Sequence, residues 1–357
     1  MPRTVVFETT GGPEVLSVRE CPLPEPGPGE LRLRVAAIGL NRAEALFRAG
    51  TYLEHPALPA TLGYEASGTV EALGDGVTGF AVGDQVDTVP AFDLNDYGVH
   101  GTHVLVPARA AVHRPRGLTP LQGAAVWMSY LTAYGALAED GHLRPGDHVL
   151  LTAAASGVGL AAIRTARRLG AIPIATTRTR AKVPRLLQAG AADVVVTGEQ
   201  DLLARVGAAT GGHGVRTVFD PVAGPGVLTL ARTLAPGGRL IVYGRLDPRD
   251  TPLPGQDTFA PVTSRFYSMH EVTRDDERLR RARAFVTAGL ADGTFTPAVD
   301  RVFEGLDTIA EAHRYLEAGT QTGKIVITVD DSTDDTAHGT PADDTAHGTP
   351  AGGGAAG

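Results

Sequence analysis

The chain reads as an α/β protein: a β-rich first third, then a doubly wound parallel sheet. Three observations predict this. Up to about residue 118, short apolar runs are separated by Gly/Pro punctuation, densest in CPLPEPGPGE at 21–30. After Pro120, short apolar runs alternate with stretches of helical spacing. Within that second part, DHVLLTAAASGVGLAAIRTARRLGAIPIATTRTRAK (147–182) spells strand, tight turn, helix and strand.

Taken in order, the first strands fall at 4–7, 31–38 and 68–72. In the second, Leu31, Leu33 and Val35 alternate with Arg32 and Arg34, the pattern of a half-buried strand. GVTGFAVGDQV (76–86) supplies turn, apolar plug and turn. A long apolar helix is predicted over 121–139. Strand 149–151 has the length and composition of a buried parallel strand. A turn of small residues at 153–159, a helix at 160–169 stopped by Gly170, and a strand at 172–175 follow. Helices near 181–189, 201–209 and 226–234 then alternate with strands near 192–196, 215–219 and 239–243. Such repetition predicts a parallel sheet with helices on both faces. Helices near 276–290 and 307–318 lead to a closing strand at 324–329.

The turn after strand 149–151 suits a dinucleotide. Laid on G-x-G-x-x-G, it places Ala154, Ser156 and Gly159 at the glycine positions, with an extra Gly157. Small residues let backbone N–H groups approach a pyrophosphate, whose charge is favoured at a helix N-terminus. Ser156, Gly157, Val158 and Gly159 are therefore candidate diphosphate contacts; an ordinary βα turn packed with small residues is the alternative. After strand 172–175 the chain reads TTRTRAK (176–182), with no carboxylate where a free ribose 2′-hydroxyl is usually held. Hydroxyls and cations suit a 2′-phosphate, and cations at a helix start oppose its dipole unless an anion sits there. The expected cofactor is NADPH, with Thr177, Arg178 and Lys182 at its adenosine-phosphate end. Arg180 is set aside, because alternate residues at a helix start cannot all face one ligand.

Composition narrows the class. With 357 residues, 43% hydrophobic and 20% charged, the chain is an ordinary globular enzyme with room for two domains. No run of 18 apolar residues and no signal-peptide pattern occurs, so the expected location is the cytoplasm, with no membrane partner. Cys21 is the sole cysteine, which excludes a disulfide framework; in its Pro-rich turn it is expected to be inert. The net charge of −8 owes six aspartates to residues 330–357, which hold no Lys or Arg. The remainder has no basic excess, so nucleic acid is not an expected partner. The tail carries DDTAHGTPA at 334–342 and again at 343–351, then GGGAAG. Without hydrophobic periodicity it is expected to be disordered, His338 and His347 being solvated rather than ligating.

Several motifs in one order resemble a known family: AAIGLNRAEALFRAGTY (36–52), LGYEASGTVEALGDGVTGFAVGDQV (62–86), LTAYGAL (131–137), AAASGVG (153–159), GRL (244–246) and EAHRYLEAGTQTGKIVIT (311–328). Over residues 1–329 the chain resembles the zinc-independent quinone oxidoreductase branch of the medium-chain dehydrogenase/reductase superfamily. The resemblance implies a GroES-like β-barrel substrate domain formed by 1–122 and 268–329. A Rossmann NADP-binding domain at 123–267 lies between them, with the tail at 330–357. It implies hydride transfer from NADPH to a quinone or an α,β-unsaturated carbonyl (an enone), and a homodimer joined through Rossmann sheet edges.

The resemblance also assigns residues. Asn41 corresponds to a substrate-side asparagine able to donate to a carbonyl oxygen, and Tyr52 to a tyrosine at the mouth of the acceptor pocket. Tyr52 as a plain apolar wall remains the competing reading. Thr132 resembles a threonine near the nicotinamide, or else bonds back into its own helix. Gly244 sits where the chain passes the nicotinamide, or else marks a tight turn. Lys182 matches a lysine used for the 2′-phosphate. Zinc-dependent relatives carry Cys where this chain has Asn41 and His where it has Tyr64. A catalytic zinc needs about three protein ligands, so no metal is expected. Tyr64 is expected to pack, and His100 and His103 are not expected to form a metal pair.

Overall fold

The structure is a computed structural model that describes residues 1–255 and 261–329; the tail expected to be disordered lies outside the described residues. Eight strands precede the dinucleotide turn's own strand: β1 (Arg3–Phe7), β2 (Ser17–Glu20), β3 (Glu30–Leu40), β4 (Ala60–Thr61), β5 (Glu65–Leu73), β6 (Gln85–Thr88), β7 (His103–Pro107) and β8 (Ala111–His113). Six follow in the middle: β9 (His148–Leu151), β10 (Ile172–Thr177), β11 (Asp193–Val196), β12 (Val215–Asp220), β13 (Leu234–Val242) and β14 (Thr263–Phe266). Near the end come β15 (Val299–Glu304) and β16 (Lys324–Thr328).

The middle six form one sheet, ordered β11-β10-β9-β12-β13-β14, with every pair parallel. In β9, Val149, Leu150 and Leu151 are all fully buried. Leu150 joins a core with Val206, Val227 and Leu230 from helices Leu202–Ala209 and Val227–Ala231. Val149 and Leu151 join the opposite core with Leu160, Ile163 and Leu186 from helices Gly157–Arg168 and Val183–Gln188. Alternate residues of one strand thus meet helices on opposite faces, which is why its run is apolar throughout. Chain order reverses between β9 and β12, so their carboxyl ends frame the switch point where α/β sheets bind ligands.

The other large sheet is ordered β15-β16-β3-β5-β6-β8, with β7 also paired to β3. Strand β16 pairs antiparallel with β3 through Ile325↔Leu40 and Ile327↔Ile38, so the chain's last described strand completes the sheet its beginning starts. This is the GroES-like part, and β1, β2 and β4 make a separate three-stranded sheet beside it.

Local differences from the sequence reading have physical reasons. The helix expected over 121–139 is broken. Pro120–Gly123 makes one turn, a new helix runs Trp127–Tyr134, and Gly135–Asp140 widens into a π-helix. Buried carboxylates anchor the new start: Glu65 accepts from the Met128 N–H at 2.9 Å, and Asp87 accepts from the Trp127 indole at 3.3 Å. The helix after the dinucleotide turn begins at Gly157, three residues early, because Ser156 caps it by accepting from Gly159 N–H at 3.0 Å. The helix near 226–234 shortens to Val227–Ala231, since β13 already starts at Leu234. The register slip between Val215↔Leu234 and Thr217↔Arg239 absorbs Pro236–Gly238. Strands β14 (TSRF) and β15 (VDRVFE) carry charges along sheet edges, which hides them from an apolar-pattern search.

His100 is fully buried against Gly63, where a Cβ would lie 2.1 Å from the imidazole. Its ring nitrogens form no well-aligned hydrogen bond, although the Gly39 backbone slightly favours the charged form. Burial pushes the ring down to about 3, and it pushes His313 well below its ordinary value too. Between pH 3 and 6.5 the unfolded chain therefore binds a proton at His100 that the folded chain refuses, and stability falls as pH falls. Glu44, raised to about 7 by burial, contributes in the opposite sense, so a difference measurement is needed. His100→Leu should remove one proton's dependence. Between pH 7 and 5, wild type should lose about 2 kcal/mol more than the variant in urea unfolding. Parallel curves for the two proteins would show that His100 is not the titrating group.

Candidate active site

The dinucleotide side is built at the carboxyl ends of β9, β10 and β13. Gly159 has to be glycine, because a Cβ there would stand 2.5 Å from the Ala154 carbonyl oxygen. Gly157 opens the helix, with Ser129 Oγ 3.2 Å from where its Cβ would be. Val158 packs on the core, leaving its backbone as the part available to a ligand. Gly244 follows β13 and presses on the turn after β12, a Cβ there meeting the Pro221 oxygen at 2.7 Å. The Thr132 hydroxyl bonds back to the Met128 carbonyl at 2.6 Å, the local alternative that the sequence left open.

At the end of β10, Thr177 Oγ1 accepts from Thr179 N–H at 3.3 Å and holds the turn. Lys182 donates to the Gln321 carbonyl at 2.8 Å; burial and then the neighbouring Arg178 push its ammonium down. Two cations at close quarters favour an anion between them. Arg180 is instead paired with Glu199. The residues present thus fit a phosphorylated dinucleotide: a capped helix start for the diphosphate and a cationic pair at its far end. A surface hollow of about 400 Å³ lies at His148, Ile172 and Asp193, the amino ends of the strands and the wrong end of the sheet.

The segment before β16 ties this turn to the substrate side. Gly323, with φ +125°, pairs with Ser156 in an isolated bridge. Next to it, the buried Lys324 ammonium ion-pairs with Glu65 and donates to Asn41 Oδ1 at 2.5 Å. Asn41 Nδ2 donates to Glu65 at 3.0 Å and to Glu44 at 3.1 Å. Glu44 also accepts from the N–H groups of Asn41 and Tyr64. Lys324 therefore fixes the amide's orientation, and both Nδ2 protons face carboxylates rather than open space. Such a donor set does not fit zinc. Of the two carboxylates beside Asn41, Glu65 is already held by an ammonium and Glu44 by the N–H groups of Asn41 and Tyr64, and no group of three His, Cys, Asp or Glu ligands gathers among the described residues.

Beside this network, Tyr52 and Tyr64 turn their hydroxyls to His270 Nε2, at 3.4 and 3.5 Å. Tyr64 does pack, against Phe92 with ring centroids 5.6 Å apart, yet its hydroxyl also joins the cluster. Burial pushes the Tyr52 phenol up to about 12 and the His270 imidazole down to about 4, so at neutral pH all three groups are uncharged. His103 faces Glu71 at 3.5 Å, while His100 is buried beside Gly63.

Of the residues named from the sequence, Asn41 lies in the Lys324 network and Tyr52 in the His270 cluster, and Ser156 of the turn is bridged to Gly323. Sequence reasoning missed His270, Lys324, Glu44 and Gln321. Lys324 carried a weak signal, a lone cation directly before the apolar run IVIT.

Two sheets of this kind, with a dinucleotide turn facing a polar cluster, define the architecture of a medium-chain dehydrogenase. Residues 27–116 match the alcohol dehydrogenase GroES-like domain family, and residues 189–327 the zinc-binding dehydrogenase family. The human quinone oxidoreductase is 31% identical over 329 residues, covering 90% of this chain and 96% of that protein. The Escherichia coli quinone oxidoreductase crystallised with NADPH superposes with a TM-score of 0.83 at 29% identity, covering 91% of this chain and 99% of the other. A crystal structure of an NAD-dependent alcohol dehydrogenase gives 0.84 at 32% identity, covering 92% and 100%. The chain belongs to the quinone oxidoreductase branch of the medium-chain dehydrogenase/reductase superfamily and is an oxidoreductase of that family.

Proposed function

We propose that the protein is an NADPH-dependent, zinc-independent reductase of quinones or α,β-unsaturated carbonyls. The observation that carries this reading is the Lys324 ammonium bonded to Asn41 and Glu65, where the metal-dependent members of the superfamily need ligands. Without a Lewis acid, an alcohol is a poor hydride donor, whereas a quinone or enone is already electrophilic. Bound NADPH would supply the hydride. Ser156, Gly157, Val158 and Gly159 would hold its diphosphate, Thr177, Arg178 and Lys182 its 2′-phosphate, and Thr132 and Gly244 would border the nicotinamide. Tyr52 would orient the acceptor and donate to its developing oxyanion. Asn41, its amide protons committed, would act mainly by shaping the floor beneath the acceptor.

Supporting features extend to assembly. Edge strand β14 exposes Phe266, 53% accessible, and is the edge through which a homodimer would join its sheets. No helix among the described residues is long and apolar enough to cross a membrane, which is compatible with a cytoplasmic enzyme. The test is NADPH oxidation with 1,4-benzoquinone, 9,10-phenanthrenequinone and simple enones, alongside metal analysis. Turnover by zinc-free protein is expected. Stoichiometric zinc would favour an alcohol dehydrogenase, and NADPH binding without turnover on the whole panel would favour a non-catalytic binding protein.

A further inference from the structure

His270 stands between the tyrosine hydroxyls and solvent. Its Nε2 meets Tyr52 and Tyr64, whose hydroxyls also reach each other. The same ring lines a pocket of about 190 Å³ with Phe92, Asp93, Asp96, Arg109 and Arg274. That pocket opens outward: Arg274, which holds Glu54 at 3.1 Å and Asp93 at 2.6 Å, is 59% exposed. With Nε2 taken up by hydroxyls, Nδ1 is the nitrogen left to exchange protons with the pocket.

We propose that His270 is a proton relay that refills the Tyr52 hydroxyl from solvent during reduction of the acceptor. The idea rests on the reductase reading and adds the proton path that reading lacks. The balance is simple. Hydride reaches the quinone with its electron pair, and a quinone oxygen takes the Tyr52 proton. The phenolate regains a proton from His270 Nε2, while Nδ1 takes one from water in the pocket. One quinone, one NADPH and one solvent proton give hydroquinone and NADP⁺.

The surroundings suit that role. A phenol held up to about 12 does not stay ionised, so a donor has to stand within reach of it. A ring held down to about 4 by burial and by Arg274, against a smaller opposing pull from Asp93, passes a proton on rather than storing it. Around Tyr52, Glu54 and Glu44 raise its phenol further, while the Tyr64 hydroxyl and Arg274 pull it the other way without overcoming burial. His270 acts through Tyr52 rather than on substrate.

The test uses full-length protein and 9,10-phenanthrenequinone. In single-turnover oxidation of bound NADPH at neutral pH, His270→Gln should slow the reaction about 10- to 100-fold, with NADPH affinity unchanged. The solvent deuterium isotope effect should rise, because proton delivery becomes limiting. His270→Ala opens space continuous with the pocket, and added imidazole should restore its rate in proportion to imidazole concentration, with no effect on wild type. A His270→Gln rate and isotope effect equal to wild type would overturn the relay. So would a slow His270→Ala that imidazole does not rescue, since that marks a structural role. A wild-type enzyme that binds NADPH yet reduces no acceptor would instead sink the reductase reading itself.

Discussion

Lys324→Met should destabilise the protein by about 3–5 kcal/mol, the usual cost of removing one partner from a buried ion pair. Lys324 is 4% exposed and Glu65 1%, so water cannot replace the lost ammonium. The damage would not stop at Glu65. Glu44, fully buried and already raised to about 7, is kept from rising further mainly by Lys324, so its carboxyl would protonate. The Asn41 amide would lose the donor that fixes its orientation. Urea unfolding of wild type and Lys324→Met at pH 7 checks the size. Lys324→Met combined with Glu65→Gln should recover part of the loss, because the uncompensated charge is then gone. Full recovery is not expected, since Glu65 also anchors the helix at Met128. A single variant as stable as wild type would mean that the network is hydrated and the pair weak.

This network explains how much could be read from the chain beforehand. The parallel sheet was legible because its signals are local. The apolar run 149–151 of β9, a small-residue turn and a helix of period 3.6 lie within about 20 consecutive residues. The substrate-side sheet was legible only in part, since β6, β8 and β15 are short or charged and owe their pairing to neighbouring strands rather than to an apolar run of their own. The site was least legible where it matters chemically. Asn41 and Lys324 are 283 positions apart, and Tyr52 and His270 are 218 apart. No spacing rule joins such residues; only the return of β16 onto β3 brings Lys324 home. The role read for Asn41 shows the consequence. An amide facing a cleft donates to substrate, whereas one placed between two carboxylates and an ammonium has its donors spent. The sequence holds all four groups but not their meeting.

At the other end of the cleft, Arg178→Ala with Lys182→Ala should weaken NADPH far more than NADH. Each substitution removes a charged contact worth about 1.5–3 kcal/mol to a phosphate and to little else. Two such losses amount to roughly a 10²- to 10⁴-fold fall in NADPH affinity, while NADH, which has only a 2′-hydroxyl there, should change little. The structure adds a reason for combining them. Lys182 already donates to the Gln321 carbonyl and is disfavoured by Arg178, so part of each side chain's cost is paid by its neighbour when no anion is present. Removing one cation relieves the other, and the single variants should therefore lose less than half the combined effect. Folding should be unharmed, because neither residue is buried. Titration of protein fluorescence with both nucleotides, at low and high salt, measures the discrimination. The NADPH preference should shrink with salt in wild type and be nearly flat in the double variant, since screening acts on the charges that were removed. Equal losses for NADPH and NADH would take Arg178 and Lys182 out of the phosphate pocket, and the preference would then have to arise from Thr177 and the backbone of the turn that follows β10.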